Sequence, residues 1–150
     1  IRRPPRSTLD RSSAASDVYK RQDICDEYAS IFDSIFNKQW TGNFECWYQV
    51  YKNNEYQEWH DHMPSTLSAI HFLNFKKEHK APMFQDPIRN LKATMNHAAL
   101  NERMLETDKY TPEVEEGDII IFPSYLQHTV PAGKYDLHRV TIALNLNVPL

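Results

Sequence analysis

The twenty residues from Tyr56 to Phe75, YQEWHDHMPSTLSAIHFLNF, decide the reading of this chain. They contain two β-rich runs, 56–62 and 67–75, dense in aromatic and branched side chains. Successive side chains of a strand point to opposite faces, so His60 and His62 face one way and Asp61 the other. Two imidazoles on one face can hold a metal ion if a third donor arrives from elsewhere in the fold. The same spacing also arises by chance on an exposed strand, so the pair needs support from the rest of the sequence.

On the N-terminal side, Phe44 to Tyr51 reads as another strand, and Asn53-Asn54 as a hairpin turn, since Asn tolerates the left-handed conformation. Before it, Ile24, Tyr28, Ile31, Phe32, Ile35 and Phe36 recur at helical spacing, and acidic Asp23, Asp26 and Glu27 stand at the start where the helix dipole favours them. The spacing predicts one amphipathic helix over 23–38, laid against a sheet. On the C-terminal side a short strand is expected at Pro82 to Phe84. Residues 85–116 are polar and ambiguous between a long loop and a short helix around Ala98 to Leu105. Glu116-Gly117 makes a turn into a strand over Asp118 to Phe122, Pro123 ends it, and a loop carries His128. A last strand over His138 to Val148 alternates through Val140, Ile142, Leu144 and Leu146. One helix followed by many short strands predicts a mainly β chain with an N-terminal helix (α+β), its body a double-stranded β-helix or jelly roll.

With 150 residues, 41% apolar and 25% charged, the chain has the composition of one ordinary globular domain. No apolar run reaches the ~18 residues needed to span a bilayer, and no apolar signal region opens the sequence, so an intracellular, cytoplasmic protein without a membrane partner is expected. Cys25 and Cys46 are read as reduced core residues. The three glycines, Gly42, Gly117 and Gly133, form no phosphate-binding pattern. Residues 1–22 are rich in Arg, Ser and Pro, show no hydrophobic period, and resemble the translated read-through of a sequencing adapter. They are expected to be a non-native or disordered segment, with 23–150 as the domain. That segment holds six of the 17 Lys and Arg and two of the 20 acidic residues, leaving 11 against 18 and a net charge of −7 over 23–150. A surface of that sign does not suit nucleic acid. Oligomeric state is not readable from the sequence.

The best third donor is His128, just before the last strand. On that strand Arg139 and Thr141 share a face. An Arg pointing into a barrel needs an anionic partner, because burying a lone guanidinium is costly. A dicarboxylate would supply it, although a structural ion pair with one of the many acidic residues would do so too.

From Tyr51 to Asn147, in the segments YQEWHDHMPSTLSAIHFLNF, FQDP, EEGDIIIFPSYLQHTV and HRVTIALNLNV, the chain resembles the iron(II) and 2-oxoglutarate-dependent oxygenase superfamily, and within it a prolyl-hydroxylase-like family found in marine phages and bacteria. The order of an H-x-D/H strand, a strand ending Phe-Pro-Ser, a distal His and an R-x-S/T element carries the likeness. The resemblance implies that His60, His62 and His128 bind iron(II), that Arg139 and Thr141 hold the 5-carboxylate of 2-oxoglutarate, and that Tyr51 lines the cosubstrate pocket. It implies hydroxylation of a small-molecule or peptidyl substrate by O₂, with 2-oxoglutarate converted to succinate and CO₂.

One position departs from that pattern. The usual triad is two His and a carboxylate, and here the second motif position is His62. Either His62 is the ligand, with Glu58, Asp61 or Asp118 compensating its lack of charge, or a bulge turns Asp61 inward as the carboxylate ligand. A three-His set also suits a cupin-like dioxygenase that does not use 2-oxoglutarate, with Arg139 on the substrate, or a metal-stabilised jelly roll without catalysis. His71 is expected in the core or pocket wall, and His79, His97 and His138 at the surface. Trp40, Trp47 and Trp59 are read first as core filling.

Overall fold

The last alternating run of the sequence lies at the centre of a sheet. In the computed structural model, which describes residues 14–36, 44–89, 108–134 and 136–147, strand β8 (Arg139–Leu146) is flanked on both sides by antiparallel partners. The other strands are β1 (Phe44–Tyr51), β2 (Gln57–His60), β3 (Leu67–Asn74), β4 (Met83–Gln85), β5 (Lys109–Tyr110), β6 (Ile119–Pro123) and β7 (His128–Val130). They form two four-stranded sheets, ordered β1-β8-β3-β6 and β2-β7-β4-β5. All described pairings are antiparallel. This is the jelly roll that the run of short strands implies.

The first sheet is in register from Phe44↔Leu146 to Tyr51↔Arg139, and from Leu67↔Leu146 to Phe72↔Thr141, with an irregularity before Asn74. Side-chain alternation then turns Trp47, Gln49, Tyr51, Ile70, Arg139, Thr141 and Ala143 toward one cavity. Ile70, Phe72, Phe75, Phe84 and Phe122 form a buried cluster with Ile120 and Leu126 against it. Sealing a side chain such as Phe72, fully buried, contributes about 1.5–3 kcal/mol. A buried polar chain adds to it: Ser68 Oγ lies 2.8 Å from Ser124 Oγ and 3.1 Å from Asn145 Oδ1.

Three turns position these strands. Asn54 adopts φ 63°, as its residue type allows, but the turn at 53–54 makes no hairpin: β1 pairs with β8 and β2 with β7, so it carries the chain from one sheet to the other. At 115–118, Gly117 has φ +96°, Asp118 Oδ2 accepts from Glu115 N at 2.7 Å, and Gly117 N donates to Phe72 O at 2.7 Å. After β3, the Phe75 and Lys76 amides and side chain are tied down, with Lys76 Nζ 2.8 Å from Glu116 Oε2.

Residues 1–41 form a separate unit whose described part is helix α1 (Ala14–Phe36). It starts nine residues before the position at which the apolar period begins, because Ala14, Ala15, Lys20, Arg21 and Gln22 are good helix formers that carry no period. Tyr28 and Phe32, one turn apart, are buried, and Phe32 and Phe36 stack at 6.2 Å. No described helix is long and apolar enough to cross a membrane. Neither Cys25 nor Cys46 is in a disulfide. The helix anticipated near 98–105 lies outside the described residues, as does His97; within 85–116 the structure adds strand β5.

Candidate metal centre

His60 and His128 are direct partners across β2 and β7, and Phe84 of β4 is the partner of His128 on the other side. His128 therefore stands on a strand, not in a loop: three residues after Tyr125 suffice for the chain to re-enter the sheet. His62 lies two residues beyond the end of β2. Its amide donates to Ser124 O at 2.9 Å, and its carbonyl accepts from Ser65 N at 3.0 Å, which pins the loop against the end of β6. Ring centroids are 4.3 Å apart for His60 and His128, and 5.1 Å apart for each pairing with His62. One ligating atom from each lies within 4.8 Å of the others. Strand alternation alone does not produce this. The register slips between Gln57 and His60, and the backbone bonds of the following loop bring His62 in.

The ring tautomers follow from the backbone. His60 Nδ1 lies 2.7 Å from Glu58 O, and His128 Nδ1 lies 3.1 Å from Leu126 O. A carbonyl only accepts, so both Nδ1 atoms carry the proton and both Nε2 lone pairs are open to a metal. Burial lowers the pKa of His62, with His60 adding to the effect, and lowers that of His128 from 6.5 to about 4. Burial thus favours the neutral, donating form of His62 and His128.

The triad shares a cavity of about 180 Å³ with Tyr51, Arg139 and Thr141. Arg139 is 1% exposed. Its guanidinium carbon sits 4.7 Å from the Tyr51 ring centre and 5.8 Å from those of Phe72 and Phe75, and the Tyr51 hydroxyl is hydrogen-bonded to it. Burial raises the Tyr51 pKa against the opposing pull of Arg139. No Asp or Glu is among the described residues lining the cavity. Asp61 is exposed, accepts from Met63 N at 3.2 Å, and faces a different hollow with Gln85, Asp86 and Tyr125. Asp118 is engaged in its turn, and Glu58 contributes its carbonyl while its side chain is exposed.

Several lining residues escaped the sequence reading. Trp47, read as core, lies 5.9 Å from the His62 ring and donates to Gln49 Oε1 at 3.3 Å. Gln49 Nε2 donates to Gln57 Oε1 at 3.5 Å, joining the edges of the two sheets. Counting back by two from Tyr51 would have found Gln49 and Trp47. Phe84 and Phe122 pack on His128 at 5.3 and 5.0 Å, a cross-strand relation no local pattern announces. His79, expected at the surface, is 5% exposed: Nδ1 accepts from Lys76 N at 3.0 Å and Nε2 donates to Leu137 O at 3.0 Å.

Three imidazoles, two of them with Nδ1 fixed by backbone carbonyls, suit a divalent ion such as iron(II), and a buried guanidinium suits a small carboxylate ligand. Residues 45–145 match the family model described as "Putative 2OG-Fe(II) oxygenase". No curated protein matches the chain. Among solved structures, a Pseudomonas putida prolyl-4-hydroxylase is similar with TM-score 0.55 and 14% identity over 84% of this chain and 66% of that one. A Burkholderia pseudomallei oxidoreductase of the 2OG-Fe(II) oxygenase family is similar with TM-score 0.56 and 10% identity over 79% and 51%. The chain thus spans from about half to just under two thirds of these proteins, and at such identities the likeness concerns the fold. The match over two thirds of its length places this chain in the 2OG-Fe(II) oxygenase family.

Proposed function

We propose that the part of the chain that carries the two sheets is an iron(II)- and 2-oxoglutarate-dependent oxygenase domain that hydroxylates a small molecule or a peptidyl side chain. The observation that carries the reading is the meeting of two unlike groups in one small cavity: three imidazoles on one wall, and Arg139 with Thr141 and Tyr51 on another. Family membership supports it.

In this reading His60, His62 and His128 hold the metal through Nε2 of His60 and His128 and one nitrogen of His62. Arg139 binds the far carboxylate of 2-oxoglutarate, helped by the hydroxyls of Thr141 and Tyr51. Bound iron(II) and 2-oxoglutarate supply the oxidising chemistry, in which O₂ is reduced, 2-oxoglutarate becomes succinate and CO₂, and one oxygen atom enters a substrate C–H bond. The protein's own work is placement. Carbonyls of Glu58 and Leu126 fix two rings, Phe84 and Phe122 keep water from one side of His128, and Arg139 sets the direction of the cosubstrate.

Anaerobic addition of iron(II) and then 2-oxoglutarate to the full chain should give the weak visible charge-transfer band of a chelated 2-oxo acid. Bound iron without the band would favour the second reading, a three-His dioxygenase without 2-oxoglutarate, which the all-imidazole donor set supports.

A further inference from the structure

The triad draws its support from both sheets, and one short turn serves two of its members. His60 and His128 are partners within the second sheet, whereas His62, beyond the end of β2, is held by the residue that follows β6 of the first. Both backbone groups of Ser124 take part: its carbonyl accepts from His62 N at 2.9 Å, and its amide donates to Thr66 O at 3.1 Å. The turn from Pro123 to Leu126 is closed by a bond from Leu126 N to Pro123 O at 3.0 Å, and it brings the Leu126 carbonyl to 3.1 Å from Nδ1 of His128. Any displacement of this turn therefore moves the backbone of one candidate ligand and the ring partner of another.

The side chain of Ser124 ties the turn to the first sheet. It is fully buried, and its Oγ lies 2.8 Å from Ser68 Oγ on β3. Ser68, also buried, donates to Asn145 Oδ1 on β8 at 3.1 Å, and Asn145 Nδ2 donates to Glu45 Oε2 on β1 at 3.4 Å. The direction of this chain is set from its outer end. A carboxylate only accepts, so Asn145 turns its NH₂ to Glu45 and its oxygen to Ser68. Ser68 has a single proton, which that oxygen takes, so the hydroxyl of Ser124 is the donor between the two serines. Moving the turn would leave a buried hydroxyl donor without its acceptor, a costly state. None of the three residues is among the described residues lining the cavity, so their effect on the triad passes through the backbone.

We propose that Ser124, backed by Ser68 and Asn145, is a positioning residue of the metal centre: its hydroxyl sets where His62 and the Leu126 carbonyl stand relative to His60. This rests on the reading of the triad as a metal site.

The test uses the full chain and two probe ions: zinc(II), titrated in competition with a chromophoric chelator, and cobalt(II), whose visible d–d bands report ligand number and geometry. Ser124→Ala should weaken zinc about tenfold and alter the cobalt(II) bands. Gly117→Ala, strained at φ +96° and outside this network, controls for lost stability and should leave both readings at the parent's values. Should Ser124→Ala fail to fold, Ser68→Ala/Ser124→Ala removes both hydroxyls, leaves no unmatched donor between them, and carries the same expectation. Parent-like zinc affinity and cobalt(II) bands in the folded variant overturn the inference and leave the proposed reading standing. An equal change in Gly117→Ala reduces the effect to stability and overturns it too. A parent chain that binds neither ion overturns the proposed reading, and the inference with it.

Discussion

Tyr51 and Arg139 are direct partners across β1 and β8, and the guanidinium carbon of one lies 4.7 Å from the ring centre of the other. The aromatic face and hydroxyl of Tyr51 hold the guanidinium against the cavity. Arg139→Ala should therefore weaken 2-oxoglutarate binding about a hundredfold or more, the cost of about 3 kcal/mol for losing a buried charged contact, while zinc binding persists. Tyr51→Phe, which keeps the ring, should cost roughly fivefold, near 1 kcal/mol. Titration calorimetry of the zinc-loaded variants checks both, and wild-type affinity in Arg139→Ala would remove Arg139 from the cosubstrate site.

His128→Ala should lower zinc affinity at least about a hundredfold, as loss of one of three ligands does. Asp61→Asn should leave it within about twofold, because the Asp61 carboxylate serves a local turn. His79→Ala should leave zinc binding intact yet destabilise the fold by about 1–3 kcal/mol, since the Lys76 amide and Leu137 carbonyl lose a buried partner. Competition with a chromophoric chelator and urea unfolding separate the three cases.

The pH dependence of the metal-free protein follows from His128, whose pKa falls from 6.5 to about 4 in the fold. Between those values the unfolded chain binds more protons, so stability is complete above about pH 6.5 and is lost as pH falls toward 4. A shift of that size corresponds to roughly 3 kcal/mol. Urea midpoints at pH 7.5 and 4.5 should differ accordingly, and His128→Gln should flatten the difference.

Gly117→Ala should cost about 1–2 kcal/mol. A Cβ there meets nothing within 4 Å, so the penalty comes from the backbone at φ +96° and not from a clash. A lowered melting temperature with unchanged zinc affinity is the expected result.

Much of this was readable in the residues. The β1 bounds, the alternation of β8 and the shared face of Arg139 and Thr141 depend on local side-chain period, which a sequence displays. What depends on partners far apart was not. The Asn53-Asn54 turn has the expected conformation but joins different sheets, and His62 reaches the triad through backbone bonds to Ser124. The burial of His79 against Leu137 is likewise set by residues 58 positions away.

Strand β8 occupies the middle of its sheet although it comes last, pairing with β1 on one side and β3 on the other. During synthesis, then, the 87 residues 52–138 must be made after β1 before its partner strand begins, and Arg139 arrives with that same strand. Pairings of such long range make folding slow. A nascent chain stalled before residue 139 would carry all three imidazoles yet lack the strand that joins β1 to β3, so completion of the cavity beside them coincides with closure of the sheet.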